Sequence, residues 1–158
     1  MISQSYRDMV KSRIEGRSDQ LLELQIRETL RFLSITSLTS GRRLPITPDV
    51  DIVWHELILQ TVSYHQLCMS LPGGEFIHHE SITPAEYNER VGDDRFVEEW
   101  VQWIPDYVQN FGPFTRESAD CWNVVLFLEQ QLGLSLEKIN KMGLEEISAV
   151  SIPTPLSA

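Results

Sequence analysis

The sequence predicts an all-α fold, a bundle of about six to eight helices. Apolar residues recur at three- and four-residue spacing along most of the 158-residue chain, which is the period of a helix with one buried face. A capping Ser or Thr, twice followed by Pro, starts several of these segments, and Gly or Pro ends most of them. No stretch shows the strict alternation of a half-buried strand. A chain of this length can bury a core without disulfides or a structural metal, so we expect one domain over residues 1–147 and a flexible tail over 148–158.

Two amphipathic helices are predicted before residue 40. The first has apolar residues at helical spacing, namely Tyr6, Met9, Val10 and Ile14. The second begins near Asp19 and carries a longer apolar stripe, formed by Leu22, Ile26, Leu30 and Leu33. The connector that follows contains Gly41, Pro45 and Pro48, which forbid a continuous helix.

A long central helix is predicted from residue 48 to about 70. Thr47 can cap its first turn, Pro48 fits the first helical position, and the negative charge of Asp51 suits the positive end of the helix dipole. The apolar side of this helix comprises Val50, Val53, Trp54, Leu57, Ile58, Thr61 and Cys68. The Pro-Gly-Gly sequence at 72–74 ends it, and we expect the histidine-bearing loop that follows to pack on this helix.

Four further helical segments are predicted in the second half of the chain. In order, they are a short one ending near residue 91, one that bends or restarts at Pro105 and stops before Gly112, one over 116–132 capped by Thr115, and one over 136–142 capped by Ser135. The segment 116–132 is apolar over most of its girth, which predicts a buried position. Gly133 fits the left-handed position that commonly ends a helix.

The composition of the chain argues against several classes of partner and location. Asp and Glu number 23 against 13 Lys and Arg, for a formal net charge of −10, which opposes binding to a nucleic-acid backbone and favours a basic protein as a partner. Two cysteines are far too few for a disulfide scaffold, and no apolar run has the length of a signal peptide core or a membrane span. We therefore expect a cytoplasmic protein with no membrane partner.

The side chains most able to bind a metal or take part in catalysis lie in residues 48–80, which contain every histidine of the chain. These residues are His55, His65, His78 and His79. Together with Cys68 and neighbouring carboxylates, they have the composition of a transition-metal site, with Zn or Fe as the expected ion.

Helix geometry divides these residues between two candidate sub-sites. Asp51 and His55 are one turn apart on one edge of the predicted helix, and His65 and Cys68 are also neighbours. On a straight helix the two pairs are too far apart to share one ion. Either pair could be completed by residues 78–79. Local geometry favours the second pair, because about eight extended residues span only ~26 Å and reach the first pair only when nearly taut.

Residues 51–79 also contain a sequence motif. It reads Asp51-x-x-Trp54-His55, then Ile58-Leu59, Thr61, Tyr64, Cys68 and Phe76-Ile77-His78-His79. This pattern resembles the glycine-rich-domain-containing protein family. The resemblance implies an all-helical domain and supplies no activity. The shared positions that it indicates are Asp51, Trp54, His55, Cys68, His78 and His79. His65 does not belong to the pattern, which weakens the His65–Cys68 sub-site.

Three function classes follow from these observations. The first is a metal-binding domain, with catalysis undecided. The second is a non-enzymatic, acidic interaction module, an adaptor or inhibitor, in which the histidines form a structural hydrogen-bond network. The third is a cysteine-dependent enzyme, which requires Cys68 to be exposed and to have a lowered pKa.

Overall fold

A computed structural model describes residues 2–39, 41–79, 93–146 and 149–153, with the side chains of 93–96 excepted. Within these ranges the chain forms eight helices of nine or more residues and one single turn. They are α1 (Gln4–Ser12), α2 (Asp19–Thr36), α3 (Pro48–Leu59), α4 (Thr61–Ser70), α5 (Asp93–Val101), α6 (Trp103–Phe111), α7 (Arg116–Ala119), α8 (Asn123–Leu132) and α9 (Leu136–Glu145). The prediction of an all-α fold is confirmed. The predicted helix ending near residue 91 lies outside the described residues. No helix in these ranges is both long and apolar enough to cross a membrane.

The helix ends that have local signals are formed as predicted. The side chains of Thr47, Thr115 and Ser135 each accept a hydrogen bond from the backbone N–H three residues further on, at the starts of α3, α7 and α9. Gly133 ends α8 with φ 66° and ψ 20°, the left-handed conformation that glycine adopts without steric cost. Local sequence therefore determines these four boundaries.

The prediction of one helix from 48 to about 70 is wrong. The helix is broken at Gln60, whose φ of −85° and ψ of 71° are not helical. Neither Pro nor Gly stands at the break. Tertiary contacts explain it, because the change of direction brings Tyr64 of α4 against Trp54 of α3, and both side chains are buried.

The predicted helix over 116–132 is also two helices. Between α7 and α8 the backbone makes turn hydrogen bonds of its own and also pairs with the connector. Thr47 N–H donates to the Cys121 carbonyl at 3.1 Å, and Val124 N–H donates to the Pro45 carbonyl at 3.2 Å. Trp122 is completely buried at this crossing. The connector therefore joins the first and second halves of the chain.

Helix α9 runs three residues beyond its predicted end at Met142. It passes through Gly143, where a Cβ atom would come within 2.8 Å of the Val108 side chain. The close packing of α9 on α6 thus accounts for both the glycine and the longer helix.

Helix α2 lies at the centre of the core, and its buried side chains include one carboxylate. Glu28 is 0% exposed. One of its oxygens accepts hydrogen bonds from the hydroxyl of Tyr107 at 2.6 Å and the indole N–H of Trp122 at 3.1 Å, and the other accepts from Arg27 and Arg31. A buried charge with four donors is satisfied, so this network joins α2 to the second half of the chain.

The described part of the C-terminal segment is attached to α6. Val150 N–H donates to Asp106 Oδ1 at 2.8 Å, the Asn110 amide donates to the Val150 carbonyl at 2.8 Å, and Ile152 N–H donates to Asn110 Oδ1 at 2.8 Å. Residues 149–153 therefore differ from the loose tail that the sequence predicted, because two α6 side chains satisfy their backbone.

Candidate metal centre

Three potential metal ligands converge where the segment after α4 returns to α3. Asp51 and His55 are one turn apart on α3, and His79 lies in the non-helical segment 71–79. One ligand atom from each of these residues lies within 4.8 Å of the other two. This is the one cluster of at least three such groups within the part of the chain that the structure describes.

The carboxylate of Asp51 lies close to both imidazoles. His79 Nε2 lies 2.8 Å from Asp51 Oδ1, and His55 Nε2 lies 3.7 Å from Asp51 Oδ2. The centroids of the two imidazole rings are 4.3 Å apart. The side chain of His55 is 50% exposed, that of Asp51 27% and that of His79 12%. The cluster is therefore at the surface, with His79 forming its inner side.

Helical periodicity explains the first two ligands. Residues four apart on a helix lie on the same edge, so Asp51 and His55 are neighbours for as long as α3 is a helix. Asp51 also lies in the first turn of α3, where backbone N–H groups favour a negative charge. The adjacent carboxylate, Glu56, is held at 2.7 Å by Arg13 of the N-terminal region.

A buried hydrogen-bond chain holds the third ligand. The indole N–H of Trp54 donates to the Tyr64 hydroxyl at 3.1 Å, and that hydroxyl donates to the Ile77 carbonyl at 2.6 Å. Trp54 also packs against the His79 ring, with centroids 4.3 Å apart. Burial raises the pKa of the Tyr64 phenol above its ordinary value, so the hydroxyl also keeps its proton for this hydrogen bond at mildly alkaline pH.

The beginning of this segment is anchored at the end of α2. Gly73 N–H donates to the Ser37 hydroxyl at 3.2 Å, and a Cβ atom on Gly73 would lie 1.9 Å from the Ser37 carbonyl oxygen. Only glycine permits this approach without a shift of the backbone. The segment is thus fixed at Gly73, at Ile77 and at His79.

The other histidines lie outside the cluster. His78 is exposed and meets the Phe76 ring edge-on, with centroids 4.8 Å apart. His65 is also exposed, and its ring stacks on the same Phe76 ring, with centroids 6.1 Å apart. The structure therefore brings together His55 and His79, and places His78 and His65 around an aromatic side chain.

Cys68 also lies outside the cluster. It is 0% exposed and packs beside the phenol of Tyr64. A cysteine-dependent enzyme needs an accessible thiolate, so this burial removes the third function class. Local geometry favoured the His65–Cys68 pair, whereas the structure completes the Asp51–His55 pair with His79.

Sequence reasoning missed two contributors to this part of the molecule. The family motif includes both Trp54 and Tyr64, and the apolar side of the predicted helix includes Trp54, but neither observation indicates a polar contact between the two. Their hydrogen bond joins residues on two helices that were predicted to be one, so no local pattern could indicate it. A tyrosine within an apolar helix face was the available signal, since a buried phenol needs a polar partner.

The cluster offers two imidazole nitrogens and one carboxylate oxygen. Such a set suits Zn²⁺ and Fe²⁺, which accept nitrogen and oxygen ligands together. Comparison with protein-family models, with curated proteins and with solved structures finds no match, so the family resemblance of the stretch from Asp51 to His79 stays a prediction from its motif.

Proposed function

We propose that this protein binds a divalent transition metal, Zn²⁺ or Fe²⁺, through Asp51, His55 and His79. The observation that carries the proposal is the convergence of three ligand atoms within 4.8 Å, from two segments of the chain, at a partly exposed position. Two histidines and one carboxylate are a ligand set that recurs in catalytic zinc and non-haem iron sites.

The position of His55 favours a metal over a purely structural network. A hydrogen bond between His79 and Asp51 at 2.8 Å stabilises the loop whether or not a metal binds. His55 adds little to such a network, because its side chain is half exposed and its Nε2 lies 3.7 Å from the carboxylate, beyond hydrogen-bond distance. The helix places His55 beside this carboxylate, and a metal ion would give its imidazole a partner that the structural network does not supply.

The number of ligands indicates the class of site. Structural zinc sites have four protein ligands, whereas catalytic sites have three and leave a position for water or substrate. Among the described residues this cluster has three. We therefore propose a metal with an open coordination position, able to activate a bound water or to bind a small oxygen- or nitrogen-containing ligand.

Metal content tests the proposal. Untagged protein, purified without chelator, is analysed by plasma mass spectrometry beside the variants His55→Ala, His79→Ala and His65→Ala. We expect near one equivalent of zinc or iron in the parent and in His65→Ala, and a loss of metal in the other two. Retention of metal in both His55→Ala and His79→Ala, or its loss in His65→Ala, would overturn the assignment.

An acidic interaction module with structural histidines is the second candidate. The His79–Asp51 hydrogen bond and the net charge of −10 favour it. It predicts no metal in the parent, a lower melting temperature for His79→Ala, and no change for the more exposed His55→Ala. In that case a basic protein would be the partner to seek.

A further inference from the structure

The ligand that most needs external support is His79. Asp51 and His55 lie on α3, whose helical hydrogen bonds fix their backbone. His79 lies in the segment 71–79, which is not helical and has no such ladder. Its place must therefore be set by a small number of specific contacts.

Besides the hydrogen bond of His79 to Asp51, one of these contacts comes from Tyr64. Its hydroxyl donates to the carbonyl of Ile77, two residues before His79, at 2.6 Å. Both groups are buried, with Tyr64 1% exposed and Ile77 8% exposed. A buried carbonyl without a donor is costly, so the segment holds its position at Ile77 as long as the hydroxyl is there.

Trp54 orients that hydroxyl. Because its indole N–H donates to the Tyr64 oxygen at 3.1 Å, the phenolic proton is directed to the remaining acceptor, the Ile77 carbonyl. The same indole forms the wall on which the His79 ring rests. Trp54 is also the direct neighbour of His55 on α3, so one residue links the positions of two ligands.

We propose that Tyr64 is a positioning residue for the metal centre, acting through the Ile77 carbonyl to place His79 opposite Asp51 and His55. This inference rests on the proposed function. Groups that orient metal ligands from outside the coordination sphere typically change metal affinity by 10- to 100-fold. Tyr64 acts at one step removed from the ligand, so we expect a loss of about tenfold, at the lower end of that range.

The chain supplies a matched control in Tyr6. Its hydroxyl is also buried and donates to a backbone carbonyl, that of Leu57, at 2.7 Å. Leu57 lies within α3, so the helix holds its backbone without Tyr6. Ile77 lies outside any helix and has no such support. Tyr6→Phe and Tyr64→Phe thus remove the same group from similar surroundings, and only the second removes a contact that holds the segment of His79.

The test compares metal affinity with stability in the two variants. Binding of Zn²⁺ is measured by competition with a chromophoric chelator, and unfolding of the metal-free proteins by circular dichroism. We expect similar decreases in melting temperature, an affinity about tenfold weaker for Tyr64→Phe, and an affinity within twofold of the parent for Tyr6→Phe.

Failures of the two ideas give different results. A parent protein that binds no Zn²⁺ or Fe²⁺ refutes the proposed function. A parent that binds, with equal affinity in both variants, refutes the role of Tyr64 alone. The imidazole NMR signals of metal-free protein provide a second readout, since those of His79 should shift in Tyr64→Phe and stay in place in Tyr6→Phe. Unchanged His79 signals in Tyr64→Phe would also overturn the inference.

Discussion

Alkaline pH should unfold this protein through three buried tyrosines. Tyr6, Tyr64 and Tyr107 are 6%, 1% and 0% exposed. Burial raises the pKa of each phenol well above the value of about 10 that tyrosine has in an unfolded chain. Above pH 10 the unfolded chain therefore loses protons that the folded chain keeps, and the free energy of unfolding falls as the pH rises.

The size of the effect follows from the number of groups. Each phenol lowers the free energy of unfolding by about 1.4 kcal/mol per pH unit once the pH exceeds its unfolded pKa, so three lower it by about 4 kcal/mol per unit. Burial also raises the pKa of the Cys121 thiol to about 12, which adds about 1.4 kcal/mol per unit from about pH 9. A domain with about 5–15 kcal/mol of stability should therefore unfold within a few units above pH 10.

Urea unfolding at a series of pH values measures this slope, and phenolate absorbance shows when the tyrosines ionise. The chain has 4 tyrosines, and the fourth, Tyr87, lies outside the described residues. We expect the absorbance change of the three buried tyrosines to coincide with the loss of helical circular dichroism. The control Tyr107→Phe should be less stable at neutral pH, because Glu28 loses a donor, and should show a slope shallower by about 1.4 kcal/mol per pH unit.

One result would refute this reasoning. If all phenolate absorbance developed with a midpoint near pH 10 while the helical signal and the urea midpoint stayed constant, the tyrosines would be accessible to solvent in the folded protein. The hydrogen bonds assigned to Tyr6, Tyr64 and Tyr107 would then be wrong.

Three further predictions concern packing, charge and thiol reactivity. Gly73→Ala should lower the free energy of unfolding by about 1–3 kcal/mol, measured in urea, because the new Cβ would lie 1.9 Å from the Ser37 carbonyl oxygen; an unchanged urea midpoint would contradict that close approach. Glu28→Ala should cost about 3–5 kcal/mol, since it leaves Arg31 and two buried donors without their acceptor, and a loss below 1 kcal/mol would indicate that the carboxylate is hydrated. Cys121, whose pKa burial raises to about 12, should not react with a thiol reagent at pH 8 until urea unfolds the protein, and rapid labelling in native buffer would show the thiol to be exposed.

The parts of the fold that follow from sequence are those with a local cause. Thr47 and Ser135 start helices because a side-chain oxygen three residues before a free N–H satisfies it in any surroundings. Gly133 ends a helix because only glycine adopts its φ of 66° at no steric cost. The pairing of Asp51 with His55 is of the same kind, since it requires nothing beyond a helix.

The parts that could not be predicted depend on contacts between distant segments. Glu28 stands between Arg27 and Thr29 in α2, and these neighbours do not show that Tyr107 and Trp122 will reach it from far along the chain. The break before α8 depends in the same way on the pairing of Cys121 and Val124 with the connector at 45–47. Periodicity describes which face of a helix is buried, but not which polar groups the opposite surface will present.

The choice between the two sub-sites depended on the break at Gln60. In one straight helix Trp54 and Tyr64 would lie about 15 Å apart along the axis, whereas in the structure their side chains hydrogen-bond at 3.1 Å. With the break at Gln60, Tyr64 of α4 lies against Trp54 of α3 and hydrogen-bonds Ile77, two residues before His79. Leu59 and Val62, on either side of the break, are 57% and 72% exposed, so local burial does not fix its position. The Trp54–Tyr64–Ile77 chain spans the break, and it joins both helices to the segment that carries His79.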